Sequence, residues 1–152
     1  WKDVGFILLY LASAQIVFQI SSLLIKLLYE DEMTANDEMI MMMLMNNNAF
    51  IFYSILFVLS LLIFIPFMEE LVFRGIATNL LFKQGSFWLP LIIISLFFGM
   101  VHSPGNVVSL LMYSLLGVIF FLSYHRRKNI LDSIILHISH NVVTLIFLWL
   151  SM

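Results

Sequence analysis

Five long runs of apolar residues, separated by short polar stretches, dominate this chain of 152 residues. A helix that crosses a membrane needs about 20 mostly apolar residues in a row. Only 11% of the residues are charged, whereas 62% are hydrophobic, and soluble domains carry about a quarter charged residues. The pattern therefore predicts an all-α, polytopic transmembrane helical bundle with about five spans. The predicted spans are 4–28, 49–68 with a continuation to 82, 87–101, 107–124 and 130–150.

The composition also excludes several classes of protein. Seven Lys and Arg stand against nine Asp and Glu, for a net charge of -2, so the chain lacks the basic face that nucleic-acid binding needs. The sequence has no cysteine, which excludes disulfides, thiolate metal sites and a Cys nucleophile. The expected partners are membrane lipid, a peptide or protein substrate, and a partner membrane or cell-wall protein.

The basic residues predict how the spans are oriented. With five crossings, Lys2, Lys83 and the basic run 126–128 fall on one side, and the acidic segment 30–38 falls on the other. The positive-inside rule places the first side in the cytoplasm. We therefore expect a multi-pass protein of the cell membrane with cytoplasmic basic loops. Because the chain begins at Trp1 rather than at a methionine, we also expect it to be a piece of a longer protein.

Ionisable side chains inside a membrane span are costly and are functional candidates by default. Counted at ~1.5 Å per residue from the nearest polar boundary, Glu69 and His102 lie about 21 Å into the membrane. On the same scale His137 and Asn141 lie about 14 and 20 Å in. Three predicted helices thus place a carboxylate, two imidazoles and a carboxamide at overlapping depths.

Helical spacing assigns partners to these groups. Glu70 and Arg74 are four residues apart in the order that favours an ion pair. Glu69 is rotated by about 100° from Glu70, so it is left free to face other helices. His137 and Asn141 share one helix face by the same four-residue spacing, and so do Phe98 and His102.

This set of groups suits hydrolysis without a Ser or Cys nucleophile. Glu69 can remove a proton from water as a general base, and His102 can hold or polarise that water. His137 and Asn141 can donate hydrogen bonds to the oxyanion that forms when a peptide carbonyl is attacked.

The motifs Glu69-Glu70-x-x-x-Arg74, Phe98-x-x-x-His102 and His137-x-x-x-Asn141 resemble the signature of the CAAX-protease and bacteriocin-processing (CPBP or Abi) family, which includes Rce1. The resemblance implies a membrane-embedded endopeptidase in which Glu69 activates water and His102, His137 and Asn141 complete the site. Glu70, Arg74 and Phe98 are then supporting residues. It also implies a substrate such as a bacteriocin or peptide pheromone precursor. On this basis residues 1–48 are a first helix plus an acidic, Met-rich connecting segment, and 49–152 are the catalytic core.

Three functional alternatives remain open from the sequence. The mechanism above needs no cofactor, but Glu69, His102 and His137 can also bind zinc with a water in the open position. The same polar set can hold helices together in a non-catalytic immunity factor or a scaffold for a cell-wall enzyme. An ion or proton transporter is a third, weaker alternative.

Other polar or unusual segments are interpreted structurally. We expect His140 to have a structural role, Asp132 to pair with Lys128, and Gln15, Gln19 and Ser22 to form a polar stripe hidden against other helices. The Met-rich run 39–45 predicts a short interfacial or packing helix.

Overall fold

The computed structural model describes residues 2–30, 34–45, 51–102 and 105–150 of the chain. This part of the chain consists of helices and the turns between them, which confirms the predicted all-α bundle. The predicted boundary between residues 48 and 49 lies outside the described residues, as do Asp31 and Glu32 of the acidic segment. The six helices described are α1 (Lys2–Tyr29), α2 (Ala35–Leu44), α3 (51–80), α4 (Trp88–Val101), α5 (Val107–Arg127) and α6 (Ile130–Leu150).

Four of these helices, α1, α3, α5 and α6, are long and apolar enough to cross a membrane. Helix α4 has 14 residues and is therefore about 21 Å long, less than the ~30 Å hydrocarbon core. The expectation of about five spans is corrected accordingly: the described chain has four full-length helices and one shorter apolar helix. The described chain thus has the helices of a polytopic membrane bundle.

Helix α3 continues through Pro66. A proline inside a helix removes one N–H donor and crowds the preceding turn. Here a wide turn comes directly before it, because Ser60–Phe64 adopt π-helical geometry, and a second wide turn spans Leu71–Ala77. The first wide turn accommodates the proline, and the segment between the two wide turns carries Glu69 and Glu70.

The core of the bundle is centred on α5, which packs against α1, α4 and α6. Helices α4 and α5 approach closely at two glycines: a Cβ on Gly117 would lie only 3.0 Å from Ser95 Cα. Small residues allow such close backbone contact in membrane bundles. The main core cluster includes Ala14, Phe18, Phe98, Met112, Tyr113, Leu116, Ile119, Phe120 and Leu136.

One end of the bundle gathers most of the basic residues. Arg126 and Arg127 bond Asp3 at 2.9 and 2.8 Å, so the start of α1 lies beside the turn from α5 to α6. The loop after α3 reaches the same end, because the ring of Phe87 contacts that of His125. This agrees with the predicted grouping of the basic loops on one side.

The expected pair of Asp132 with Lys128 is wrong. Asp132 instead bonds Arg126 at 3.2 Å and Arg127 at 2.6 Å. The four-residue spacing assumed one continuous helix, but α5 ends at Arg127 and Lys128 has a left-handed backbone with φ of 55°. Lys128 therefore does not share a helix face with Asp132.

The polar stripe predicted on α1 is hidden only in part. Gln15 is half-buried, and its amide contacts His140 of α6. Ser22 is half-buried and Gln19 is exposed. The expectation for Gln19 is therefore wrong, since its side of α1 is not covered by another helix of the described chain.

Candidate active site

A cavity of about 340 Å³ opens in the middle of the bundle. Its polar wall carries Glu69, His102, His137 and Asn141, the four residues for which the sequence predicts chemistry. They come from α3, the end of α4, and α6, so three separate segments do meet at one place. The rest of the wall is mainly apolar and includes Phe57, Leu61, Leu62, Ile65, Leu145 and Leu148.

Glu69 lies between the two imidazoles. Its Oε2 atom is 3.8 Å from His137 Nε2 and 3.9 Å from His102 Nε2. Both separations are too long for direct hydrogen bonds. The side chain of Glu69 is 24% exposed, whereas its neighbour Glu70 is fully buried. Glu69 therefore faces the cavity, and a water molecule beside these atoms can bridge its carboxylate and the rings.

The end of α4 orients His102. Its Nδ1 atom lies 2.7 Å from the carbonyl oxygen of Phe98, and a carbonyl can only accept a hydrogen bond. Nδ1 therefore carries the hydrogen, and Nε2 of the neutral ring offers a lone pair toward Glu69. The last carbonyls of a helix have no backbone donor, which leaves Phe98 free for this contact. The ring also stacks on Tyr113 with centroids 4.5 Å apart.

His137 is oriented by a buried ion cluster, by which we mean Glu70, Arg74 and His137. Arg74 donates to Glu70 at 2.9 Å, and His137 Nδ1 contacts the same carboxylate oxygen at 3.0 Å. An ionised carboxylate only accepts, so His137 Nδ1 carries the hydrogen. Glu70 thus fixes the tautomer of His137, as outer carboxylates do for functional histidines.

Arg74 is held on several sides. It donates to the Gly117 carbonyl at 2.8 Å, and its guanidinium lies 4.8 Å from the ring centroid of Phe98. Phe98 therefore contacts the ion cluster through its ring and His102 through its carbonyl. Its side chain is almost fully buried, at 1% exposure.

Asn141 lies one helical turn beyond His137 on α6. Its Nδ2 atom donates to the carbonyl oxygen of Leu61 on α3 at 3.3 Å. One amide hydrogen remains for a second acceptor in the cavity. The neighbouring His140 points to α1 and contacts the amide of Gln15 at 3.0 Å, although its ring also borders the cavity.

The site therefore contains two imidazoles and one carboxylate around a common space. A water molecule satisfies such a set, since it has two hydrogens to donate. Zinc uses the same donor types, but bonds of about 2.0–2.1 Å in a tetrahedron hold ligand atoms about 3.3 Å apart. The separations of 3.8 and 3.9 Å are wider, and no group of three or more ligands suited to a metal occurs in the described chain. Whether these residues hold zinc or only water therefore stays a prediction.

Helix α2 adds residues that the sequence did not single out as part of the site. Met39, Ile40 and Met43 line the cavity, so the Met-rich helix is more than a packing element. Thr34 caps this helix and links it to α5, because its hydroxyl contacts Asp37 at 2.8 Å and the Tyr113 hydroxyl at 3.0 Å. No spacing in the sequence connects Thr34 with Tyr113, since they are far apart in the chain.

The fold and this cavity define a polytopic membrane protein with an acid, two imidazoles and an amide at its centre. The family model described as "Type II CAAX prenyl endopeptidase Rce1-like" matches residues 51–143, more than half of the chain. The chain therefore belongs to the Rce1-like family of membrane endopeptidases. The match contains all seven predicted site and supporting residues, and it begins after α2.

One curated relative supports this assignment. "Putative membrane peptidase YdiL" of Bacillus subtilis (strain 168) is 33% identical over 81 residues, which are 53% of this chain and 32% of that protein. The chain thus matches about a third of the length of this relative. No solved structure matches the chain.

Proposed function

We propose that the chain forms a membrane-embedded endopeptidase site in which Glu69 activates water. The observation that carries the proposal is the position of the Glu69 carboxylate, within 3.9 Å of the Nε2 atoms of two imidazoles. A water molecule between them donates one hydrogen to Glu69 and the other to a ring nitrogen. Family membership supports a protease and the cavity supports a site sheltered from lipid.

In the proposed reaction, the water oxygen bonds to the carbonyl carbon of the substrate while one water proton passes to Glu69. The remaining amide hydrogen of Asn141 stabilises the oxyanion. The C–N bond then breaks, and Glu69 returns the proton to the leaving amine. The prediction that His137 also donates to the oxyanion requires a hydrogen on its Nε2 in addition to the one that Nδ1 directs to Glu70.

The wall of the cavity supports an apolar peptide segment as the substrate. The lining also includes Asn36, Asp37, His140 and Thr144, but most of its side chains are aliphatic, aromatic or methionine. Methionine adapts its shape to different apolar partners. A membrane-proximal peptide, such as the bacteriocin or pheromone precursor that the family resemblance implies, suits this lining.

The experiment uses the chain reconstituted in lipid vesicles and a quenched fluorescent peptide with an apolar segment, selected from a peptide mixture for cleavage by the unaltered chain. Replacing the base as Glu69→Gln should lower kcat by about 100-fold or more, because general bases contribute 10²–10⁴-fold. His102→Ala should also lower it strongly. The control Glu30→Gln changes an exposed carboxylate and should leave the rate unchanged.

Unchanged cleavage by folded Glu69→Gln protein would refute the proposed base. It would instead favour the non-catalytic immunity or scaffold alternative if the biological effect also persisted. Treatment with a metal chelator should not reduce cleavage. A loss that zinc restores would favour the metal alternative.

We also propose that the basic end of the bundle faces the cytoplasm of the cell, as the positive-inside rule indicates. The chain has no cysteine of its own, so a maleimide can react with no other thiol of the chain than an introduced cysteine. A cysteine at Asn129 should react with an impermeant maleimide only after cells are opened, whereas one at Glu30 should react in intact cells. The reverse pattern would overturn this orientation.

A further inference from the structure

Pro66 lies three residues before Glu69, in the middle of α3. Its side chain is buried. The wide turn before it changes which backbone groups are paired. The N–H of Ile65 donates to the carbonyl of Ser60, five residues earlier, instead of to that of Leu61, four residues earlier.

The Leu61 carbonyl therefore lacks both of its usual helical donors. Its α-helical donor is the N–H of Ile65, which is used by Ser60. Its π-helical donor would be the N–H of residue 66, but proline has none. An unpaired carbonyl within the membrane costs several kcal/mol unless a side chain or water bonds it.

Asn141 supplies the missing donor. Its Nδ2 atom lies 3.3 Å from Leu61 O, and both residues border the cavity. Because a carbonyl can only accept, this contact fixes which end of the Asn141 amide faces α3. One of its two N–H groups is used, and the other is directed away from Leu61.

We propose that Pro66 is a positioning residue for the reaction. By lacking an N–H, it keeps the Leu61 carbonyl free to hold the Asn141 amide in one orientation. The amide can then donate its second hydrogen to the oxyanion. The kinetic part of this inference rests on the proposed function, whereas the hydrogen bond itself does not.

The substitution Pro66→Ala restores an N–H that can bond Leu61 O and compete with Asn141. One hydrogen bond contributes about 0.5–1.5 kcal/mol, so kcat should fall about 2- to 10-fold while KM stays nearly constant. In the Asn141→Ala background, Pro66→Ala should cause no further loss. A proline that only packs would instead lower stability and give additive effects in the two backgrounds.

Pro90→Ala is the matched control. Pro90 is also buried, but it lies in the first turn of α4, where its missing N–H has no helical partner to lose. This variant should leave kcat and the Asn141 amide unchanged.

A second readout does not depend on activity. With ¹⁵N-asparagine labelling in nanodiscs, the side-chain NH₂ signal of Asn141 is assigned by its loss in Asn141→Ala. In Pro66→Ala the hydrogen that bonds Leu61 O should exchange faster with water, and its chemical shift should move toward that of a free amide. In Pro90→Ala neither the exchange rate nor the chemical shift should change. An unchanged Asn141 signal in Pro66→Ala overturns the inference, even if no substrate is cleaved by any variant. If the Asn141 signal changes in Pro66→Ala but the Glu69→Gln protein cleaves at the normal rate, only the proposed function is overturned. The inference about the hydrogen bond then stands.

Discussion

Two groups of charged residues hold this bundle together, and they differ in burial and in role. The basic end, comprising Asp3, Arg126, Arg127 and Asp132, joins the start of α1 to the turn between α5 and α6, and Arg127 is 39% exposed there. The buried ion cluster lies inside the bundle, with Glu70 and Arg74 at 0% exposure. The basic end links α1, α5 and α6 at one end of the bundle, whereas the buried ion cluster orients only the ring of His137 in the candidate site.

The difference shows how the chain separates stability from chemistry in two adjacent carboxylates. Glu70 is bonded by Arg74 and His137, so it is committed to structure. Glu69 is the next residue but faces the cavity, where the nearest ring nitrogens are 3.8 and 3.9 Å away, too far for a direct hydrogen bond. A carboxylate that lacks a close donor remains available for a proton from water, which is what a general base requires.

Removing the cation of the buried cluster should have the largest effect on stability. Arg74→Ala leaves Glu70 buried without its counter-charge, and breaking such a pair costs about 3–5 kcal/mol. Arg74→Lys keeps the charge but cannot bond Glu70 and Gly117 O in the same forked geometry, so an intermediate loss is expected. The free energy of unfolding in mixed micelles, measured by titration with a denaturing detergent, checks both.

Arg127→Ala at the basic end is the matched comparison. Arg126 continues to bond both Asp3 and Asp132, and the site is partly exposed to solvent, so the loss should be much smaller. If Arg74→Ala and Arg127→Ala lower the free energy of unfolding by the same amount, the buried ion cluster and the basic end do not differ in their contribution to stability.

Packing beside the site should matter more than packing near the basic end. A Cβ on Gly99 of α4 would lie 2.9 Å from the Leu110 carbonyl oxygen of α5, so Gly99→Ala forces two backbones apart. Overpacking of this kind costs about 1–3 kcal/mol. Gly5→Ala on α1 is the control, since a Cβ there would meet no heavy atom within 4 Å. Unfolding in the same micelles should shift for Gly99→Ala and stay unchanged for Gly5→Ala; a shift of equal size in both would contradict this account.

Much of the architecture could be predicted from the sequence because it depends on local patterns. Long apolar runs predict membrane helices, and the four-residue spacing of Glu70 and Arg74 matches the pair in the structure. Depth along three helices also indicated that Glu69, His102 and His137 can meet. These inferences need only the rise and rotation of a helix.

The features that could not be predicted depend on departures from regular helices or on distant contacts. The partner of Asp132 differs because α5 ends before Lys128. The Leu61 carbonyl is available to Asn141 only because of the wide turn before Pro66. The docking of α2 depends on the contact of Thr34 with Tyr113, which no spacing indicates.

The smallest predicted effect concerns Asp37, a buried carboxylate held by the neutral hydroxyl of Thr34 rather than by an arginine. Burial raises the pKa of Asp37 above its ordinary value of 3.8, although hydrogen bonds from Thr34 lower it in part. The docked helix α2 therefore prefers protonated Asp37. Docking should be strongest in acid, and it should weaken as the pH rises from about 3.8 to the raised pKa of the docked state.

An environment-sensitive dye on a cysteine at Met43, whose side chain is exposed and borders the cavity, can follow this docking. Asp37→Asn should make the dye signal independent of pH in that window and keep α2 docked at neutral pH, because the amide carries no charge to desolvate. Glu38→Gln, at an exposed acid on the same helix, should leave the pH response intact. If the response survives in Asp37→Asn, another group controls the docking of α2. If the pH response disappears in Asp37→Asn, Asp37 controls the docking of α2. Asp37 then differs from both Glu70 and Glu69. It is buried like Glu70 but lacks an arginine partner, and so it makes the wall of the cavity sensitive to pH.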